Sequence, residues 1–138
     1  MENNENKELT LFSGVKNNIY CSKNIDSMED KKELFNALES CDVLLNDCVG
    51  QEIEIKDIYV EEKEVCDHET GEIKIKYRSI LFDVNGQTYA TGSYGIYNIL
   101  KKIVQIYGLP DTWEEALKVK VSKRNIGKGK QCLTLILI

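Results

Sequence analysis

The chain has 138 residues, 42% of them apolar and 30% charged, with one proline and nine glycines, the composition of one compact globular domain. That excludes disordered, collagenous and disulfide-stapled classes, and no run approaches the ~20 apolar residues of a membrane span. The formal net charge of −5 hides a split: from Ala116 on there are six basic residues and no acidic one, which leaves 12 basic against 23 acidic groups over residues 1–115, a net of −11.

Residues 1–8, with Asn3, Asn4 and Asn6 among glutamates, read as a disordered tail. They lack the apolar stretch of a signal peptide, so a cytoplasmic protein is expected. Leu9–Phe12 and Asn18–Cys21 read as short strands around a turn at Ser13-Gly14. Ser27, followed three residues later by Asp30, marks a helix start of the capping-box kind, and Leu34, Phe35 and Leu38 give that helix an apolar face. The run Val43-Leu44-Leu45 then leads to Gly50. Residues 9–49 are expected to be an N-terminal extension packed on a domain spanning residues 50–138.

From Gly50 the pattern becomes orderly. Ile53 and Ile55 alternate with glutamates, and Ile58 and Val60 continue one residue out of phase, so a long bent strand with a β-bulge near Lys56-Asp57 is expected. Thr70-Gly71 marks a hairpin into a second strand, residues 73–84, in which Lys74, Lys76 and Arg78 share one face. Asn85-Gly86 marks another hairpin, expected as a type I′ turn, into a third strand over Gln87–Thr91. Ile96, Ile99, Leu100, Ile103, Val104 and Tyr107 form the stripe of an amphipathic helix, stopped by Gly108 and Pro110. Leu117–Val121 and Cys132–Ile138 read as two more strands joined by a loop over Lys123–Lys130. The order β-β-β-α-β-β is that of the OB fold, a five-stranded, partly open barrel, here a mainly β architecture with an N-terminal strand and helix extension.

That fold binds oligonucleotides across its second and third strands, flanked by the loops joining strands 1 to 2 and 4 to 5. Here the 4–5 loop is the basic segment, whereas the 1–2 loop, Cys66–Glu72, is acidic and repels phosphate. Single-strand binding needs cations at backbone spacing and aromatic faces for bases. Lys74, Lys76, Arg78, Lys118, Lys120, Lys123, Arg124, Lys128 and Lys130 supply the first. Tyr59, off the apolar phase of strand 1, and Tyr89, in the middle of strand 3, supply the second, although each also reads as a core or barrel-edge aromatic. Tyr97, Tyr107 and Trp113 read as packing. The five cysteines (Cys21, Cys41, Cys48, Cys66, Cys132) are widely spaced without a C-x-x-C pair and read as reduced thiols. Cys66 and His68 give at most two of the four ligands of a structural zinc, and His68, the single histidine, has no nucleophile to serve, so neither metal, cofactor nor catalysis is expected.

Asn85-Gly86-Gln87-Thr88-Tyr89-Ala90-Thr91-Gly92-Ser93, then a helix, then Leu117-Lys118-Val119-Lys120-Val121, a loop with Lys128-Gly129 and a closing Leu133-Thr134-Leu135-Ile136-Leu137 resemble the single-stranded DNA-binding proteins of small protein-primed Bacillus phages and related phages of low-GC Gram-positive hosts. The resemblance covers about residues 50–138. It implies an OB-like domain that coats displaced single strands during phage DNA replication in the host cytoplasm, with self-association along the DNA and replication proteins as further candidate partners. It also implies that Tyr59 and Tyr89, matching the tyrosines of the first and third barrel strands, contact bases. Residues 66–72 lack the tyrosine that such proteins carry near the first hairpin, and the N-terminal part is longer. A second reading is a phage-encoded acidic protein-binding module or inhibitor of a host protein, resting on Glu61, Glu62, Glu64, Asp67 and Glu69.

Overall fold

The computed structural model describes residues 17–23 and 25–138. The expected tail at residues 1–8, the strand Leu9–Phe12 and the turn at Ser13-Gly14 lie outside them. In chain order the elements are β1 (Asn17–Cys21), α1 (Met28–Glu39), β2 (Val43–Leu44), β3 (Glu52–Cys66), β4 (Ile73–Asp83), β5 (Thr88–Thr91), α2 (Tyr94–Tyr107), β6 (Leu117–Gly127) and β7 (Lys130–Leu137), with 3-10 turns at Leu45–Cys48 and Pro110–Thr112. The molecule is mainly β, a curled half-barrel sheet with two helices. Strand order is β2-β5-β4-β3-β6-β7, with β1 on a further edge of β3, so the N-terminal residues add strands to the same sheet.

The curl comes from β3. Its register with β4 shifts between Ile55 and Asp57, where the phase change in the sequence calls for a bulge. The extra residue lets Ile53 and Ile55 before it, and Ile58 after it, face one core. The other edge of β3 changes partner across the same point: residues 52–55 pair with β6, and residues 59–63 pair with β1.

On the inner face, Ile53, Ile55, Ile58, Leu81, Val119 and Val121 pack against Ile96, Leu100 and Ile103 of α2. That helix starts at Ser93, whose Oγ accepts from the Ile96 amide at 3.3 Å, and ends at Gly108, whose φ of +83° favours glycine. On the outer face, α1 covers Tyr59, Ile80, Phe82 and Ala90 with Leu34 and Ala37. The Ser27 Oγ accepts from the Asp30 amide at 3.1 Å, the expected cap. Phe35, expected on the packed face, instead points to solvent at 63% exposure, because Leu34 and Ala37 already fill the contact.

Two further expectations are corrected. The Asn85-Gly86 hairpin is not type I′, since Asn85 is not at positive φ. The Asp83 amide bonds to the Gln87 carbonyl, closing a three-residue loop with Gly86 left-handed, and the Asp83 carboxylate accepts from the amides of Asn85 and Gln87 at 2.8 and 2.9 Å. The local carboxylate selects the longer loop. Second, Lys123–Lys130 is not a loop: β6 runs to Gly127 and β7 starts at Lys130, and the two positive-φ residues of the type I′ turn are Lys128 and Gly129.

Leu81→Ala empties the centre of the inner core and is expected to cost about 2–5 kcal/mol, whereas Phe35→Ala should stay within about 0.5 kcal/mol of wild type. Urea unfolding measures both, and equal costs would contradict the assignment of α1's packed face.

Candidate nucleic-acid interface

Up to Val121, β6 is tied to residues 50–55 as well as to β7; from Ser122 β7 is its only ladder partner among the described residues, so the basic segment forms a two-stranded arm. Residues 123–131 are all exposed. Strand alternation divides the cations: Lys118, Lys120 and Arg124 lie on the outer face, and Lys123 lies on the face of Val119 and Val121. Lys128 and Lys130 occupy the tip. Lys118 lies 3.7 Å from Glu52, both half-exposed, while Lys123, Arg124, Lys128 and Lys130 form no ion pair among the described residues. Lys128 sits at φ +53°, a left-handed conformation that costs a non-glycine residue roughly 1–2 kcal/mol. The arm thus holds a lysine where asparagine or glycine would fit with less strain.

Lys74, Lys76 and Arg78 do share one face of β4, the outer one, in register with Val65, Lys63 and Glu61. Lys74 and Lys76 are exposed, whereas the half-buried Arg78 guanidinium donates to the Leu38 carbonyl of α1. A groove of about 600 Å³ runs between Glu39, Glu61, Lys63, Lys76 and Arg78, so carboxylates mingle with these cations. The two basic groups are not brought together: the β4 cations flank the C-terminal half of β3, the arm leaves from its N-terminal end, and Glu52 and Glu54 pair with Lys120 and Lys118 between them. The β3–β4 connection stays acidic. Asp67 accepts from the amides of Glu69 and Thr70 at 2.8 and 3.4 Å, bonds that hold its carboxyl below the usual carboxylate range.

Both expected stacking tyrosines are inside. Tyr59, opposite Ile80 and beneath α1, is 2% exposed, and its hydroxyl donates to Glu61 Oε1 at 2.9 Å; burial and that carboxylate push its phenol far up. Tyr89 is 7% exposed in the inner core and donates to Asp83 Oδ2 at 3.0 Å, with burial and Asp83 raising its phenol to about 12. Neither ring presents a face to a base. Alternation assigns each to a side of the sheet but does not reveal that α1 and α2 cover both sides at that point.

A different aromatic group, with Tyr97 buried and Tyr77 half-buried, reaches the surface through Tyr94. The Tyr77 ring lies 4.8 Å from Tyr94 and 4.7 Å from Tyr97, centroid to centroid, and Tyr94 is 54% exposed. Tyr97 donates to Glu62 Oε2 at 3.0 Å, Lys101 stands 5.4 Å from its ring centre, and its phenol is raised to about 12 by burial and Glu62. The sequence gives one signal for this group: a tyrosine directly after the Ser93 cap.

Set beside known families, residues 13–138 match a family model described as phage single-stranded DNA-binding protein. Comparisons with curated proteins and with solved structures found no match.

Buried phenols give a pH signature. An unfolded tyrosine titrates near 10, whereas Tyr20, Tyr89 and Tyr97 hold their protons to about 12 in the fold. The contribution is therefore complete below pH 10 and lost as pH rises towards about 12. Urea midpoints measured upward from pH 9 should fall over that window, and less steeply in Tyr89→Phe; a flat wild-type profile would place these phenols in water.

Proposed function

We propose that this chain, which belongs to the phage single-stranded DNA-binding protein family, coats displaced single strands during phage DNA replication, without sequence preference and without catalysis. The carrying observation is the basic β6–β7 hairpin: six cations and no acidic side chain from residue 116 on, joined to a body of net charge −11. Such a molecule meets a polyanion with one side only, because the rest repels it. Phosphates then lie along Lys118, Lys120, Lys123, Arg124, Lys128 and Lys130. Lysines release counterions at each phosphate they neutralise and read no base, which suits binding to any sequence.

In this reading residues 50–138 are an OB-like barrel formed by β3 to β7, with α2 between its third and fourth strands, and β1, α1 and β2 are an N-terminal addition. The arm, a strand hairpin, then stands where that fold has its 4–5 loop, one of the two that flank its oligonucleotide sites. Lys74 and Lys76, at the far end of β3 and separated from the arm by Glu52 and Glu54, form a second, detached cationic contact. Arg78, tied to α1, is a structural cation, and Tyr59 and Tyr89 hold the two cores. Copies arrayed along one strand, and replication proteins recruited to it, complete the proposal; the family's ligand is its basis.

Binding of long oligothymidine should weaken with salt, log affinity falling by about 0.7 per phosphate contact per log unit. Replacing both Lys128 and Lys130 by alanine should lower that slope by about 1.4, whereas replacing Lys31 and Lys32 on α1 should leave it unchanged. Wild-type affinity weaker than ~100 μM at low salt, poorer than ordinary non-specific binding, would refute the function.

A further inference from the structure

We infer that the exposed ring of Tyr94, with the half-buried Tyr77 beside it and braced by Tyr97, is the surface on which unpaired nucleobases stack, an inference that rests on the single-strand-binding reading. Sequence-independent binders need a π-face beside a cationic track, and the two tyrosines in the expected positions have none to offer. The trio meets the requirement in three respects.

The first is a free face. Tyr77 is tilted 55° to Tyr94 and 46° to Tyr97, so the rings brace one another in tilted contacts, and Tyr94 keeps half of its surface open. The second is rigidity. Tyr94 is the first residue of α2, directly after the Ser93 cap, between two glycines at close backbone contacts. A Cβ on Gly92 would lie 3.4 Å from the Tyr77 carbonyl oxygen, and one on Gly95 would lie 3.1 Å from that of Leu133. The segment carrying Tyr94 is thus seated between β4 and β7. Tyr97 is fixed by its bond to Glu62, so the platform is ordered before a base arrives.

The third is position. The same Gly95 site lies 3.9 Å from Cys132 Sγ, and Leu133 and Cys132 pair across the ladder with Lys123 and Arg124, the root of the basic arm. Tyr94 is therefore one residue from the contact that joins α2 to the phosphate track. Glu62, in register with Tyr77 and accepting from Tyr97, repels phosphate from the inner end of the group. A strand with its backbone on the arm and its bases turned towards α2 satisfies both charges. Tyr107 is also exposed, but it lies 13 residues along α2, about 20 Å from Tyr94 at 1.5 Å per residue, beyond reach of the arm.

The test uses the full chain and oligothymidine, titrated at several salt concentrations. Tyr94→Ala should weaken binding roughly five- to 150-fold, the range for losing one stacked base, while leaving the salt slope at its wild-type value. Tyr94→Phe and Tyr107→Ala should bind as wild type does. Tyr94→Trp should keep affinity and add a saturable quench of tryptophan emission larger than that of Trp113 in the wild type, and circular dichroism with urea midpoints verifies that each variant is folded. Binding by Tyr94→Ala within twofold of a wild type that itself binds would overturn the inference and leave the function standing, as would a loss accompanied by a lower salt slope. A wild type that fails to bind would refute the function and the inference together.

Discussion

The whole arrangement depends on the hydrogen-bond ladder of β3. One strand of fifteen residues pairs with β4 along one edge and with β6 and then β1 along the other, and the bulge after Ile55 lets both halves bury their isoleucines in one core. Without that extra residue every side chain beyond Lys56 would turn to the opposite face, because strand faces alternate with period two. Ile58 would leave the core and Tyr59 would enter it. The bend also sets the two hairpins of opposite charge at opposite ends of β3: the acidic Cys66–Glu72 connection at its C-terminus, the basic arm beyond its N-terminus.

Charge separation and burial together leave few places for a polyanion. The outer face of β3, β4 and β5 is roofed by α1, whose Glu33 pairs with Lys23 at 2.7 Å and whose Leu38 carbonyl takes up Arg78. The inner face is filled by α2. The arm carries four cations, Lys123, Arg124, Lys128 and Lys130, without an ion pair among the described residues, and beside its root lies the Tyr77, Tyr94 and Tyr97 group. In the proposed function, backbone charge and base stacking fall to neighbouring but distinct surfaces, the division expected of a binder without sequence preference.

Much of this could be read from residue order. The β3 bulge follows from Ile53, Ile55, Ile58 and Val60 changing phase, and α2 follows from its apolar stripe, because both are local patterns with a single burial solution. The arm has no such local pattern: Lys123, Arg124 and Asn125 are poor strand formers, and only the turn at Lys128-Gly129 and the pairing to Gln131, Cys132 and Leu133 make them a ladder. The Asn85-Gly86 turn type depends on the Asp83 carboxylate, a side chain that dipeptide rules ignore. For the candidate site, the basic residues were legible as a charge block, while the aromatic part was not. Alternation places Tyr59 and Tyr89 on faces without revealing what covers them, and the meeting of Tyr77 with Tyr94 joins residues seventeen apart through a helix start that only the folded chain brings to β4.

The most direct test is ultraviolet crosslinking of the full-length protein to oligothymidine, with the attachment sites located by mass spectrometry. Bases within stacking contact should leave adducts on Tyr94 and Tyr77 and on the arm over residues 123–130. Adducts confined to Tyr59 or Tyr89, or to the acidic connection over residues 66–72, would contradict the account.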